Sequence, residues 1–375
     1  MELGVSAALV DGTLVPGDVR IAGGQITEVG VRPGTSGRGL AVPGFIDLHI
    51  NGFAGVDFLA AEPDDYDVVG RALAATGVTA YVPTFVTSPL STFQEALRVV
   101  SDAAPEAGPR LLGVHLEGPF ISRRWKGAHD ERYIREPDLA LAGSLCDAGP
   151  VRVVTLAPER PGGLELVEYL TGRGIIVSCG HSDAAVQTAH RAFDRGARAI
   201  THVYNAHRRW RPRDPGLAGA ALVRDDVTVQ AIVDDVHLAP ETAYAAFLAT
   251  RGRFSLVTDA IAAAGLPPAD SRLGHLNVQV RDGEVRLPDG TLAGSVLTMD
   301  RAVANLVAKG ATLAAAVHAA SRAPALLIGR PELGRIAVGH PADIAVLDDD
   351  LGVIRTFVGG EEVDVSSQRA STTST

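Results

Sequence analysis

The sequence predicts an α/β fold, a (β/α)8 TIM barrel with a small β-sandwich domain built from both chain ends. Three observations lead there. Eight short apolar, β-branched runs recur through the middle of the chain, most of them separated by Ala- and Leu-rich segments of helical spacing. The two ends share a different texture, short strands broken by turn signals. No GxGxxG follows the first apolar run, which lowers the alternative of an open doubly wound sheet.

Taken in order, residues 1–42 read as strands with hairpin turns at Asp11-Gly12 and Gly23-Gly24, and residues 336–366 repeat that pattern, so both are assigned to the small β-domain. Residues 43–335 are assigned to the barrel. Its strands are expected at 44–48, 78–82, 111–116, 151–156, 175–179, 198–201, 227–233 and 254–258, and helices at 65–76, 91–104, 164–172, 184–195 and 240–251. The small polar residues 367–375 read as a disordered tail.

The 375 residues are 46% hydrophobic and 21% charged, a globular balance, and the net charge of −10 argues against nucleic acid as a partner. Of 34 basic residues only Lys126 and Lys309 are lysines, an arginine bias that fits a GC-rich coding composition. Two cysteines, Cys146 and Cys179, make no disulfide framework. No apolar run approaches the length of a membrane span, and the N-terminus lacks the basic and apolar regions of a secretory signal. A cytoplasmic protein without membrane contact is expected.

Chemistry in a barrel sits at the C-terminal ends of the strands. Here those ends carry Asp47 and His49, His115 and Glu117, His181, His202, and Asp259. A lone histidine beside a strand is more often structural, and a lone aspartate after a strand often caps the next helix. Their coincidence on one rim points to a site. One glutamate and two histidines form a three-ligand set for one divalent ion, with Zn2+ the default and Fe2+, Co2+ or Mn2+ also compatible. Such an ion makes water a nucleophile near neutral pH, and Asp259 suits the role of proton carrier. The reaction class is metal-assisted hydrolysis of an amide or ester.

The motifs PGFIDLHINGFAGVDF (43–58), GVHLEGPFIS (113–122), KGAHD (126–130), SCGHSDA (178–184), THVYNAH (201–207), RDPGLAGA (213–220), VDDVHLAP (233–240), LVTDA (256–260) and GTLAGSVLTM (290–299) resemble the amidohydrolase superfamily, and most closely its N-acetylglucosamine-6-phosphate deacetylase family. That resemblance covers nearly the whole chain. It implies Glu117, His181 and His202 as metal ligands and Asp259 as catalytic acid/base. It implies substrate contacts at Ala128, His129, Asn205, Ala206, Leu292, Ala293 and Gly294, with His129 near the acetamido group and Arg213 and His237 on the phosphate side. It also implies a homodimer in which some phosphate contact crosses the interface. The product pair would be glucosamine 6-phosphate and acetate.

The run His207 to Arg213 holds four arginines; Arg208, Arg209 and Arg211 read equally well as a solvated basic loop, whereas the motif position of Arg213 favours function. Two departures stand out. Many amidohydrolases carry His-x-His after the first strand, where this chain has His49-x-Asn51, so one metal is expected with His49 near it but not a firm ligand. Asp235 adds a carboxylate beside the phosphate-side His237, which would oppose an anion unless it points away or pairs with an arginine. The alternatives are a deacetylase of N-acetylgalactosamine 6-phosphate, an amidohydrolase of an unphosphorylated substrate, and an inactive barrel kept for binding.

Overall fold

A computed structural model describes residues 1–32, 34, 37–103, 108–250 and 252–365. The barrel expectation is met strand for strand. Eight parallel strands run in order: β1 Phe45–Ile50, β2 Val78–Val86, β3 Val114–Glu117, β4 Val151–Leu156, β5 Ile176–Cys179, β6 Ala199–Ile200, β7 Thr228–Ala231 and β8 Phe254–Leu256. Every residue of β1 and β2 is buried, because helices cover the outside of the sheet and side chains fill its interior. Ile46 and Leu48 of β1 and Ala80 and Val82 of β2 join Ala325 of the helix Arg322–Leu327 in one apolar cluster.

No strand ladder joins β8 to β1. Backbone and side-chain bonds close that seam instead. The Asp259 amide donates to the His49 carbonyl at 2.8 Å, and the Asn51 amide donates to the Ala260 carbonyl at 2.8 Å. The Thr258 hydroxyl donates to buried Asp47 at 2.5 Å. The same seam therefore fixes where His49 and Asp259 stand.

The chain ends share one six-stranded sheet, ordered Thr13–Pro16, Ala7–Val10, Leu40–Pro43, Ile344–Leu347, Val353–Val358, Glu361–Glu362. The hairpin Asp18–Ala22/Gln25–Val31 packs on it through a common core that includes Val19, Ile21, Ala41, Ile344 and Phe357. The expected tail, 367–375, and residue 366 lie outside the described residues.

One feature went unread in the sequence. A three-stranded antiparallel sheet, Ser271–Leu273, Leu276–Arg281 and Glu284–Arg286, follows β8. Its signals were present: Val278 and Val280 alternate with exposed Asn277, Gln279 and Arg281, and Asp282-Gly283 is a hairpin turn. The sheet matters because Leu273, His275, Leu276 and Arg286 form part of the cavity wall over the barrel mouth.

Candidate active site

Four of the predicted residues meet at the strand ends. Glu117 is the last residue of β3. His181, His202 and Asp259 follow β5, β6 and β8 by two or three residues, and all three have positive φ, at 47°, 30° and 51°. Non-glycine residues rarely hold that conformation, so three such turns on one rim mark backbone strained to aim side chains inward. Gly294 shows how tightly the loops approach there: a Cβ at its φ of 72° would stand 2.6 Å from Ile261 and 2.9 Å from the Asp259 carbonyl.

Glu117 Oε1 lies 3.0 Å from His181 Nε2 and 3.1 Å from His202 Nε2, and the two imidazole nitrogens are 3.1 Å apart. All three side chains are nearly inaccessible. The Nδ1 of His181 faces the Trp125 carbonyl at 2.9 Å, and that of His202 faces the Asn205 carbonyl at 3.1 Å. A carbonyl only accepts, so both Nδ1 atoms carry the proton and both neutral rings turn bare Nε2 lone pairs toward Glu117. Three acceptors thus converge on one point, an arrangement that asks for a cation. Ligands bonded tetrahedrally at about 2.0–2.1 Å stand roughly 3.4 Å apart, close to the triangle observed. Burial lowers the basicity of both histidines, which keeps them neutral and able to ligate. For Glu117, burial pushes the carboxyl up, but the charge of His49 and the hydrogen bond from His129 act against it and hold the carboxyl well below its usual range.

Glu117, His129 and His181 also offer ligand atoms within 4.8 Å of one another. The hydrogen bonding separates His129 from the other two. The Thr87 amide donates to His129 Nδ1 at 3.2 Å, so the neutral ring carries its proton on Nε2, 3.5 Å from Glu117 Oε2. His129 is arranged as a donor toward the site, His181 and His202 as acceptors.

His49 is fully buried, with Nε2 3.4 Å from Glu117 Oε2 and 3.2 Å from Asp259 Oδ1. Burial opposes its protonation, but the two carboxylates outweigh that and raise its pKa. Beneath the cluster runs a buried polar chain: Thr84 to His115 at 3.2 Å, His115 to Thr155 at 2.7 Å, then Thr201 and Ser178, each at 2.7 Å. Burial pushes the His115 imidazole down to about 3, so this ring is neutral.

These groups open into a cavity of about 420 Å³. Its lining includes Ala128, His129, Asn205, Ala206, His237, Leu292 and Gly294. Two expected residues stand elsewhere. Ala293 is 1% exposed and lies behind the wall, its amide donating to the Val285 carbonyl. Arg213 is exposed and outside its own chain's cavity. His237 Nδ1 bonds Asp234 at 2.8 Å, which leaves Nε2 for the cavity. Asp235 is half-exposed and its charge partner is a lysine rather than an arginine: Lys309 Nζ reaches it at 2.5 Å. Arg124, Trp125, His275 and Arg286 also line the cavity and were not singled out in the sequence. The first two directly precede the KGAHD motif, a signal that adjacency alone offered.

The amidohydrolase family model matches residues 40–363. The chain belongs to the amidohydrolase family. It is 39% identical to the human N-acetylglucosamine-6-phosphate deacetylase, covering 94% of this chain and 92% of that one. It is 36% identical to the N-acetylgalactosamine-6-phosphate deacetylase of Escherichia coli O157:H7, over 94% and 96%. Among solved structures it is similar to the N-acetyl-D-glucosamine-6-phosphate deacetylase of Mycobacterium smegmatis in complex with N-acetyl-D-glucosamine-6-phosphate, with a TM-score of 0.90, 34% identity and coverage of 96% and 98%. Among the described residues of this amidohydrolase, no helix is long and apolar enough to cross a membrane.

Proposed function

We propose that this amidohydrolase removes the N-acetyl group of N-acetylglucosamine 6-phosphate, releasing glucosamine 6-phosphate and acetate. One observation carries the reading: the Glu117–His181–His202 triangle, Asp259 and His237 border a single cavity in a chain 39% identical to a deacetylase of that substrate over 94% of its length.

Glu117, His181 and His202 would hold one divalent ion, taken as Zn2+ from the nitrogen-rich donor set. Bound there, the ion would polarise the acetamide carbonyl and supply a water nucleophile at neutral pH. Asp259 accepts the proton of the attacking water and returns it to the departing amine. The Nε2–H of His129 points its donor to the acetamide oxygen, where charge builds during attack. Asn205 and Ala206 meet the sugar, Leu292 and Gly294 close over it, and His237, braced by Asp234, meets the phosphate.

Arg213 is assigned to the phosphate of the partner's cavity in a homodimer, a reading supported by its exposure outside its own. The cytoplasm is assigned on the two unpaired cysteines. The N-acetylgalactosamine epimer is the second reading, because a deacetylase of that phosphate is 36% identical. Acetate release measured over phosphorylated and free N-acetylhexosamines, with metal content on the same sample, tests all of this. Turnover should be highest on N-acetylglucosamine 6-phosphate with one ion per subunit. A preference for the galactosamine epimer, equal turnover of the free sugars, or metal-free protein without activity would each replace the proposal with a named alternative.

A further inference from the structure

Asp259 uses its two carboxylate oxygens differently. Asn51 Nδ2 lies 2.6 Å from Oδ1 and 3.4 Å from the Asp259 carbonyl oxygen. His49 Nε2 lies 3.2 Å from the same Oδ1. Among the described residues Oδ2 takes no hydrogen bond, and Asp259 lines the cavity. The Asn51 amide can only stand this way round, because turning it would set its oxygen against a carboxylate. The Asn51 oxygen has no partner, so its NH2 end alone fixes the side chain. Asn51 is 3% exposed, and its backbone amide is pinned to the Ala260 carbonyl at 2.8 Å, one residue past Asp259. It therefore holds the Asp259 loop by main chain and side chain together.

We infer that Asn51, with His49 beside it, is a positioning residue that clamps Asp259 by Oδ1 and so reserves Oδ2 as the oxygen that takes and returns the proton. The inference rests on the acid/base role of Asp259 proposed above. It gives the asparagine of His49-x-Asn51 a task of its own in this chain. A carboxylate free to rotate would present either oxygen at varying angles, and proton transfer needs a fixed donor–acceptor line. Asn51 itself makes no hydrogen bond to Glu117, His181 or His202; of the two residues on Oδ1, only His49 also stands near Glu117, with Nε2 3.4 Å from its Oε2. Losing it should slow turnover while leaving substrate affinity and metal loading alone.

The test is steady-state acetate release by Asn51→Leu, which keeps the volume and removes the donor, with metal content measured on the same protein. The expected result is a fall of fivefold or more in kcat, with KM within about threefold and one ion per subunit retained. A smaller fall in kcat overturns the inference, as does a loss of metal or a larger rise in KM accompanying it. Should Asn51→Leu not fold, the near-isosteric Asn51→Asp carries the same criteria, since it exchanges the donor for a like charge. Asp259→Asn, run alongside, separates the two ideas. If that variant keeps wild-type turnover, the acid/base assignment fails. If it is inactive while both Asn51 variants turn over normally, only the clamp fails.

Discussion

Lys309 Nζ stands 2.5 Å from Asp235 Oδ1, and the lysine side chain is only 7% exposed. One of the two lysines in the chain thus neutralises the carboxylate that precedes the cavity-lining His237 by two residues. Removing Lys309 would leave that negative charge to act on an incoming phosphate. Unit charges a few ångströms apart near a surface interact by about 1–4 kcal/mol, and solvent screens part of this. Lys309→Met is expected to raise KM for the phosphorylated sugar about three- to tenfold with little change in kcat, and Lys309→Met/Asp235→Asn to restore it. An unchanged KM in the single variant would mean that Asp235 has no influence on the phosphate.

The exposed position of Arg213 leads to a complementation experiment. Arg213→Ala alone should weaken turnover of phosphorylated substrates at least tenfold and leave any activity on free sugars untouched. Asp259→Asn alone should be inactive. If Arg213 serves the neighbouring cavity, a mixed dimer of the two variants contains one site with an intact Asp259 and an intact Arg213 from the other subunit. Co-expression should then recover a substantial part of the activity that both parents lack. Mixed dimers no better than Arg213→Ala would assign the arginine to its own chain.

Most of this site could be read from the sequence because its residues are local to strand ends. Glu117, His181, His202 and Asp259 follow apolar runs whose length and β-branching are plain, and the barrel rule puts strand ends on one rim. What escaped were relations between distant segments. The Asn51–Asp259 bond spans 208 residues and the Asp47–Thr258 bond 211, so neither has a local signature. The pairing of Asp235 with Lys309 across two loops is of the same kind. Positive φ at His181, His202 and Asp259 was equally invisible, since no glycine announces it. Burial of the Ala293 side chain between Leu292 and Gly294 was likewise not visible in the sequence.

The convergence of three lone pairs predicts a metal-linked stability. The Nε2 atoms of His181 and His202 stand 3.1 Å from each other and 3.0 and 3.1 Å from Glu117 Oε1, a cluster of acceptors that a bound cation would hold together. Anything that binds only the folded state raises its apparent stability by mass action. Chelator treatment should therefore lower the melting temperature and abolish acetate release, and stoichiometric Zn2+ should restore both. Glu117→Ala should remove the metal-dependent part of the melting temperature. A melting temperature indifferent to chelator and to zinc would contradict the ligand set.

Asp47 predicts a pH dependence of stability at the barrel seam. It is fully buried, accepts hydrogen bonds from the Thr258 hydroxyl and the His49 and Thr258 amides, and burial pushes its carboxyl up to about 6 against those bonds. A carboxyl raised in the folded state from an ordinary 3.8 binds its proton more tightly there than in the unfolded chain. Its stabilising contribution is complete below about pH 3.8 and is lost as pH rises through about 6. The full swing is on the order of 3 kcal/mol. Asp47→Asn cannot ionise, so its stability relative to the wild type should improve from pH 4.5 to pH 7.5. The comparison belongs on chelator-treated protein, where no bound cation adds its own field. Thermal or urea unfolding at both pH values checks it, and a stability difference that stays constant or moves the other way would show that Asp47 is already ionised at the lower pH.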